Sequence, residues 1–167
     1  MVSKPARLLA CLFALGCSSD EALLSPIDHE LDRLRLEATF ERNALGDVFG
    51  VATLQNLWPA PFPMEYAGVC AQSLLVYASA SYSDPPLWNQ LRYWNGRPGG
   101  CKWMPVTLVL PANGSRQIKT PAVAPTVIMG DSIPAGTYFL AVSIRMLQPR
   151  DTTLVIPAGP VQLGDGF

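Results

Sequence analysis

Charge is scarce in this chain. Of its 167 residues only 15% are charged, twelve basic against thirteen acidic, while 49% are hydrophobic. With no basic excess, the chain has no electrostatic means of gripping a phosphate backbone, which argues against nucleic acid as a partner. Histidine occurs once, as His29, in a polar stretch ahead of the first strand-like segment. A serine nucleophile needs a base held beside it, so this histidine is badly placed for hydrolase chemistry. The four cysteines have no metal-ligand spacing, and neither a phosphate-cradling glycine loop nor a dinucleotide fingerprint occurs. No metal or cofactor is expected. Also missing are a sustained apolar repeat at helical spacing and any internal repeat. Sixteen prolines and thirteen glycines cut the chain into short pieces, which favours strands over helices. One domain with its own core is expected at this length.

The N-terminus carries the most specific signal. Lys4 and Arg7 precede an apolar stretch from Leu8 to Leu15, and Gly16-Cys17 follows. This order of charged, apolar and small residues is that of a secretory signal, and the apolar run is too short to span a bilayer. Ala14-Leu15-Gly16-Cys17 resembles the lipobox of bacterial lipoproteins. That resemblance implies removal of residues 1–16, a diacylglyceryl group on Cys17, and a membrane as partner through the lipid. Several acyl chains hold firmly, since each buried methylene contributes about 0.8 kcal/mol. Ala14 stands where leucine is usual, so ordinary signal cleavage without lipid is the alternative. Ser18 after the cysteine points onward to an outer membrane in a cell that has one. Residues 17–33 read as a lipidated tether and 34–167 as the folded domain. Without Lys4 and Arg7, ten basic residues face thirteen acidic ones.

Cys11 lies in the cleaved segment and Cys17 is assigned to lipid, so Cys70 and Cys101 remain. In an oxidising compartment the expectation is one disulfide, with metal ligation or free thiols as alternatives. Closing a loop of about thirty residues stabilises a fold by roughly 3 to 4 kcal/mol on the chain-entropy model.

Strand signals fill the rest. Leu34, Leu36, Ala38 and Phe40 alternate with polar residues, as on a strand with one buried face. Phe49 to Asn56, Phe62 to Tyr66, Ser73 to Ala80 and Val106 to Leu110 are further strand-like runs. Pro111-Ala112-Asn113-Gly114 is a turn, and Arg116 to Lys119 resumes. Tyr138, Leu140, Val142, Ile144 and Met146 form the most regular alternation. Thr152 to Ile156 and Val161 to Leu163 close the chain. Arg92 to Gly100 reads as a loop, and Ala122 to Ile133 as a proline-rich crossover that could present an extended edge to a protease. About eight short strands predict an all-β, antiparallel sandwich.

The succession Leu74-Leu75-Val76-Tyr77, Pro86-Leu87-Trp88, Val106 to Gly114, then Ile133-Pro134-Ala135-Gly136-Thr137-Tyr138-Phe139-Leu140 resembles the BsuPI-type intracellular proteinase inhibitor family. The resemblance covers roughly Leu34 to Leu163. It implies an immunoglobulin-like sandwich, and a serine proteinase as a protein partner that is inhibited.

For function, paired carboxylates such as Glu65 with Asp84 or Asp131 would be needed for acid–base chemistry, and nothing in the sequence joins them. The densest recognition chemistry is the aromatic stretch Tyr82, Trp88, Tyr93, Trp94 and Trp103, with Asn89, Gln90, Arg92 and Asn95 among it. Trp94, Trp103, Tyr93 and Arg92 are the candidate binding surface, and Trp88 is expected in the core near the disulfide. The leading expectation is a non-catalytic envelope protein that binds another protein. A glycan-binding module with exposed, coplanar rings and a structural envelope lipoprotein are the alternatives.

Overall fold

The computed structural model describes residues 31–96, 104–130 and 132–164, with the backbone but not the side chains of Val69 and Cys70. Residues 1–16, read from the sequence as a secretory signal, and Cys17, His29, Cys101, Trp103 and Asp131 lie outside the described residues.

The fold is an all-β sandwich of two antiparallel sheets. Alternating apolar residues build β1 (Leu34–Arg42), which pairs along its whole length with β2 (Val48–Asn56). The turn between them is tied by Asn43, whose side-chain oxygen accepts from the backbone N–H groups of Leu45 and Asp47. β7 (Ser115–Lys119) pairs with the other edge of β2 and completes the first sheet.

The second sheet is centred on β8 (Gly136–Gln148), which pairs on one side with β9 (Thr152–Leu163). Its other side is shared by β4 (Gln72–Tyr77), opposite Phe139 to Ile144, and β3 (Phe62–Tyr66), opposite Met146 and Gln148. β3 and β4 therefore form one row, interrupted by a 3-10 turn at Gly68–Ala71 that contains Cys70. The outer row is divided in the same way: β5 (Trp88–Asn89) lies on β4 and β6 (Val106–Leu110) lies on β3. Three rows face four, with crossings between sheets at β2–β3, β6–β7 and β7–β8.

The inner faces supply the core. Tyr138, Leu140, Val142, Ile144 and Met146 of β8 are buried, as their alternation predicts. They meet Ala52 and Leu54 of β2, Ile118 of β7 and Ile156 of β9 in one cluster, and Val48, Leu74, Val76 and Val161 in another. Full burial of one such large apolar side chain is worth about 1.5 to 3 kcal/mol.

Three details differ from the sequence reading. Residues 90–95, expected to be partly loop, form a helix, because the Asn89 side chain accepts from the N–H groups of Leu91 and Arg92 at its start. The Ala122 to Ile133 crossover is not an extended edge. Pro125 opens a short helix to Met129, and Val123, Ile128 and Ile133 are buried, so the segment closes the core. The last two expected strands are one, β9, which stays paired by bulging between Pro157 and Gly159, the latter at φ 101°.

Gly50 sets how closely the sheets approach. A Cβ built on it would lie 2.4 Å from Val142 Cγ2 across the interface. Gly50→Ala is expected to destabilise the fold by about 1 to 3 kcal/mol through overpacking. A Gly50→Ala/Val142→Ala double variant should recover part of that loss in denaturant unfolding.

Candidate functional site

The aromatic stretch singled out in the sequence is mostly packed. Tyr82 adopts φ 53° and directs its ring between Tyr77 and Phe139, edge-on to both, at centroid distances of 5.3 and 6.4 Å. Burial, and then neighbouring Tyr82, hold the Tyr77 hydroxyl above its ordinary pKa. Trp88 packs against the second core cluster and lies 6.0 Å from the half-buried ring of Tyr93. Trp94 is also half-buried, while Arg92 is exposed on the helix. The helix is anchored from beneath by Gln90, which is fully buried. Its Oε1 accepts from the Leu74 N–H at 2.9 Å and its Nε2 donates to the Pro121 carbonyl at 2.8 Å. Arg92, Tyr93 and Trp94 thus sit on a short helix held to the core through Gln90.

A concavity lies at the opposite end of the β3 row. It is a cleft of about 570 Å³ bounded by the β2–β3 connection, β3, the start of β6 and the β8–β9 turn. Its exposed large apolar side chain is Trp58, 43% exposed. The Arg33 guanidinium lies over the Trp58 ring, 3.4 Å from its centroid, in a cation–π contact. Pro61, Pro63 and Pro149 supply rigid apolar walls, and Glu65, Thr107 and Gln148 supply polar groups.

Local hydrogen bonding explains why the tryptophan stays at the rim. Asn56, fully buried, donates through Nδ2 to the carbonyls of Ala60 and Pro111 and accepts from the Trp58 N–H. The Trp58 carbonyl accepts from the Asn113 N–H, and the Leu57 N–H donates to the Arg33 carbonyl. A single buried amide therefore fixes the loop, as an internally satisfied polar group does. Arg33, placed at the end of the tether by the sequence reading, belongs to the folded domain. Its backbone is held by Leu57, and Leu31 packs against the core.

Among the described residues Glu65 is the carboxylate that lines the cleft. Asp84 is not among the described residues that line it. Among the described residues no group of three or more His, Cys, Asp or Glu side chains could hold a metal, and no helix is long and apolar enough to cross a membrane.

Cys101, the expected partner of Cys70, lies outside the described residues. Gly68, two residues before Cys70, takes φ 69°, and a Cβ built on it would lie 2.4 Å from the carbonyl oxygen of Met104, three residues after Cys101.

No protein-family model matches the chain, and no curated protein matches it. Among solved structures the chain is similar to one described as the X-ray structure of Northeast Structural Genomics Consortium target SoR45. The two are 12% identical, with a TM-score of 0.35, over 81% of this chain and 89% of that one.

Gln90→Leu removes in one step the partner of the buried Leu74 N–H and that of the part-buried Pro121 carbonyl, whose loss costs less. Each orphaned group costs about 1 to 3 kcal/mol, so thermal unfolding of this variant should show a loss of roughly 2 to 4 kcal/mol, with Trp88 and Tyr93 fluorescence perturbed.

Proposed function

We propose that this chain is a non-catalytic, lipid-anchored protein of the bacterial cell envelope whose sandwich domain binds an extended segment of another protein in the Trp58 cleft. The observation that carries the reading is the exposed Trp58 ring backed by Arg33 and walled by three prolines. Tryptophan and arginine are the side chains that most often dominate protein interfaces, and an aromatic groove with rigid walls suits an extended peptide. The resemblance to the BsuPI-type inhibitors suggests a serine proteinase as that partner. With the 122–133 crossover tied to the core through Val123, Ile128 and Ile133, inhibition would operate through the cleft end of the domain rather than through a protruding loop.

The titration that tests this uses purified serine proteinases and the full-length protein. At least one should lose peptide hydrolysis, and Trp58→Ala should raise its inhibition constant at least about tenfold, as truncating an interface hot spot does. Inhibition unchanged in Trp58→Ala would contradict the reading. Retention of a glycan by the wild type and its loss in Trp58→Ala would favour the glycan-binding alternative, because Glu65, Gln148 and Thr107 set polar groups beside the ring.

The anchor and the Cys70–Cys101 disulfide are part of the same proposal, supported by the lipobox and by the approach of Gly68 to Met104. Intact mass of the membrane-extracted protein should correspond to an acylated chain beginning at Cys17, with two thiols appearing only on reduction. A soluble chain retaining residues 1–16, or two thiols free before reduction, would contradict it.

A further inference from the structure

A sandwich that stays monomeric has to protect its sheet edges, because an unpaired strand offers N–H and C=O groups to any passing chain. Three edges here are protected. β1 carries Arg35, Glu37, Glu41 and Arg42, and β7 carries Arg116 and Lys119. β9 contains Pro157 and Pro160 and a bulge. The β6 half of the fourth edge is different. Its sequence Val-Thr-Leu-Val-Leu has no charge, proline, glycine or bulge, and its partner among the described strands is β3 alone. Val106 and Val109 are 38% and 50% exposed.

Pro63 determines which backbone groups of β6 face outward. It stands opposite Val109 and has no N–H, so this position cannot be a hydrogen-bonded pair. The bonded pairs are the flanking ones, Phe62 with Leu110 and Met64 with Leu108. Thr107 and Val109 therefore turn both their N–H and C=O groups away from β3.

We propose that β6 is a self-association edge, taking β6 of a second copy of this chain as an antiparallel strand about a two-fold axis at Leu108. In that register Thr107 faces Val109 of the second copy and Val109 faces its Thr107, so the outward groups of both strands are satisfied by four hydrogen bonds. Pro105 and Pro111 stand symmetrically about Leu108 and face one another across the axis, where neither can donate, so the ladder closes at both ends. The neutral, reciprocal pattern brings no like charges together, and a two-fold, self-complementary contact of this kind closes as a dimer. The inference does not depend on what the cleft binds.

Sedimentation of the full-length protein in detergent over a concentration series tests it. A reversible monomer–dimer equilibrium is expected. The double variant T107K/V109K places lysine opposite lysine twice and should raise the dimer dissociation constant at least about tenfold. T107K/V109E places lysine opposite glutamate twice and should restore association. Both positions are exposed, so the monomer fold should be unchanged, as circular dichroism would verify. A protein that is monomeric throughout, a dimer insensitive to T107K/V109K, or a failure of T107K/V109E to restore it would overturn the proposal.

Discussion

Everything else in this domain leans on the burial of β8. Over its thirteen residues this strand is paired along both edges, and from Tyr138 to Met146 all but Phe139 and Arg145 are buried. Its inner side chains meet both sheets, while Ala141 on the opposite face lies under Leu75 and Tyr77. Pairing on both edges also fixes the length of its neighbours. β3 and β4 divide one side of β8 between them, so the turn at Gly68–Ala71 is forced to lie beside Arg145, whose carbonyl accepts from the Ala67 N–H at 3.1 Å. The division of that row imposes the division of the next, into β5 and β6.

The candidate sites follow from the same constraint. Because β3 continues the row to the end of β8, Glu65 comes to stand opposite Gln148, and the β2–β3 connection has to fold over that corner, carrying Trp58 with it. The buried Asn56 amide then holds the connection open as a cleft rather than letting the tryptophan collapse into the core. At the opposite edge of the row, β6 is left outermost, so its backbone polarity, set by Pro63, faces away from the molecule.

Much of the architecture was legible in the sequence because period-two alternation reports a face directly. Leu34 to Phe40 and Tyr138 to Met146 appear where the pattern places them, and Pro111 to Gly114 is a turn with Asn113 at φ 52°. The site was less legible. Aromatics are densest from Tyr82 to Trp94, but Tyr82 and Trp88 are held by core contacts, and Tyr93 packs beside Trp88, through neighbours that no local pattern reveals. Trp58 and Arg33 are 25 residues apart and meet only because Arg33 and Leu57 are joined across the β1–β2 ladder. Asn89 ahead of Gln90-Leu91-Arg92 is an N-cap signal, and it lies just before the segment from Arg92 to Gly100 that reads as a loop. That β3 and β4 share a row is not a local property, and the interrupted register could not be read from either strand.

Amide hydrogen exchange on the full-length protein addresses the central claim most directly. If β8 is the element on which both sheets depend, the amides from Tyr138 to Met146 should exchange only through global unfolding, with a free energy equal to that from denaturant titration and a denaturant dependence to match. Exchange of this strand at a lower free energy than β1 and β2, through a partial opening that leaves the first sheet intact, would contradict the account.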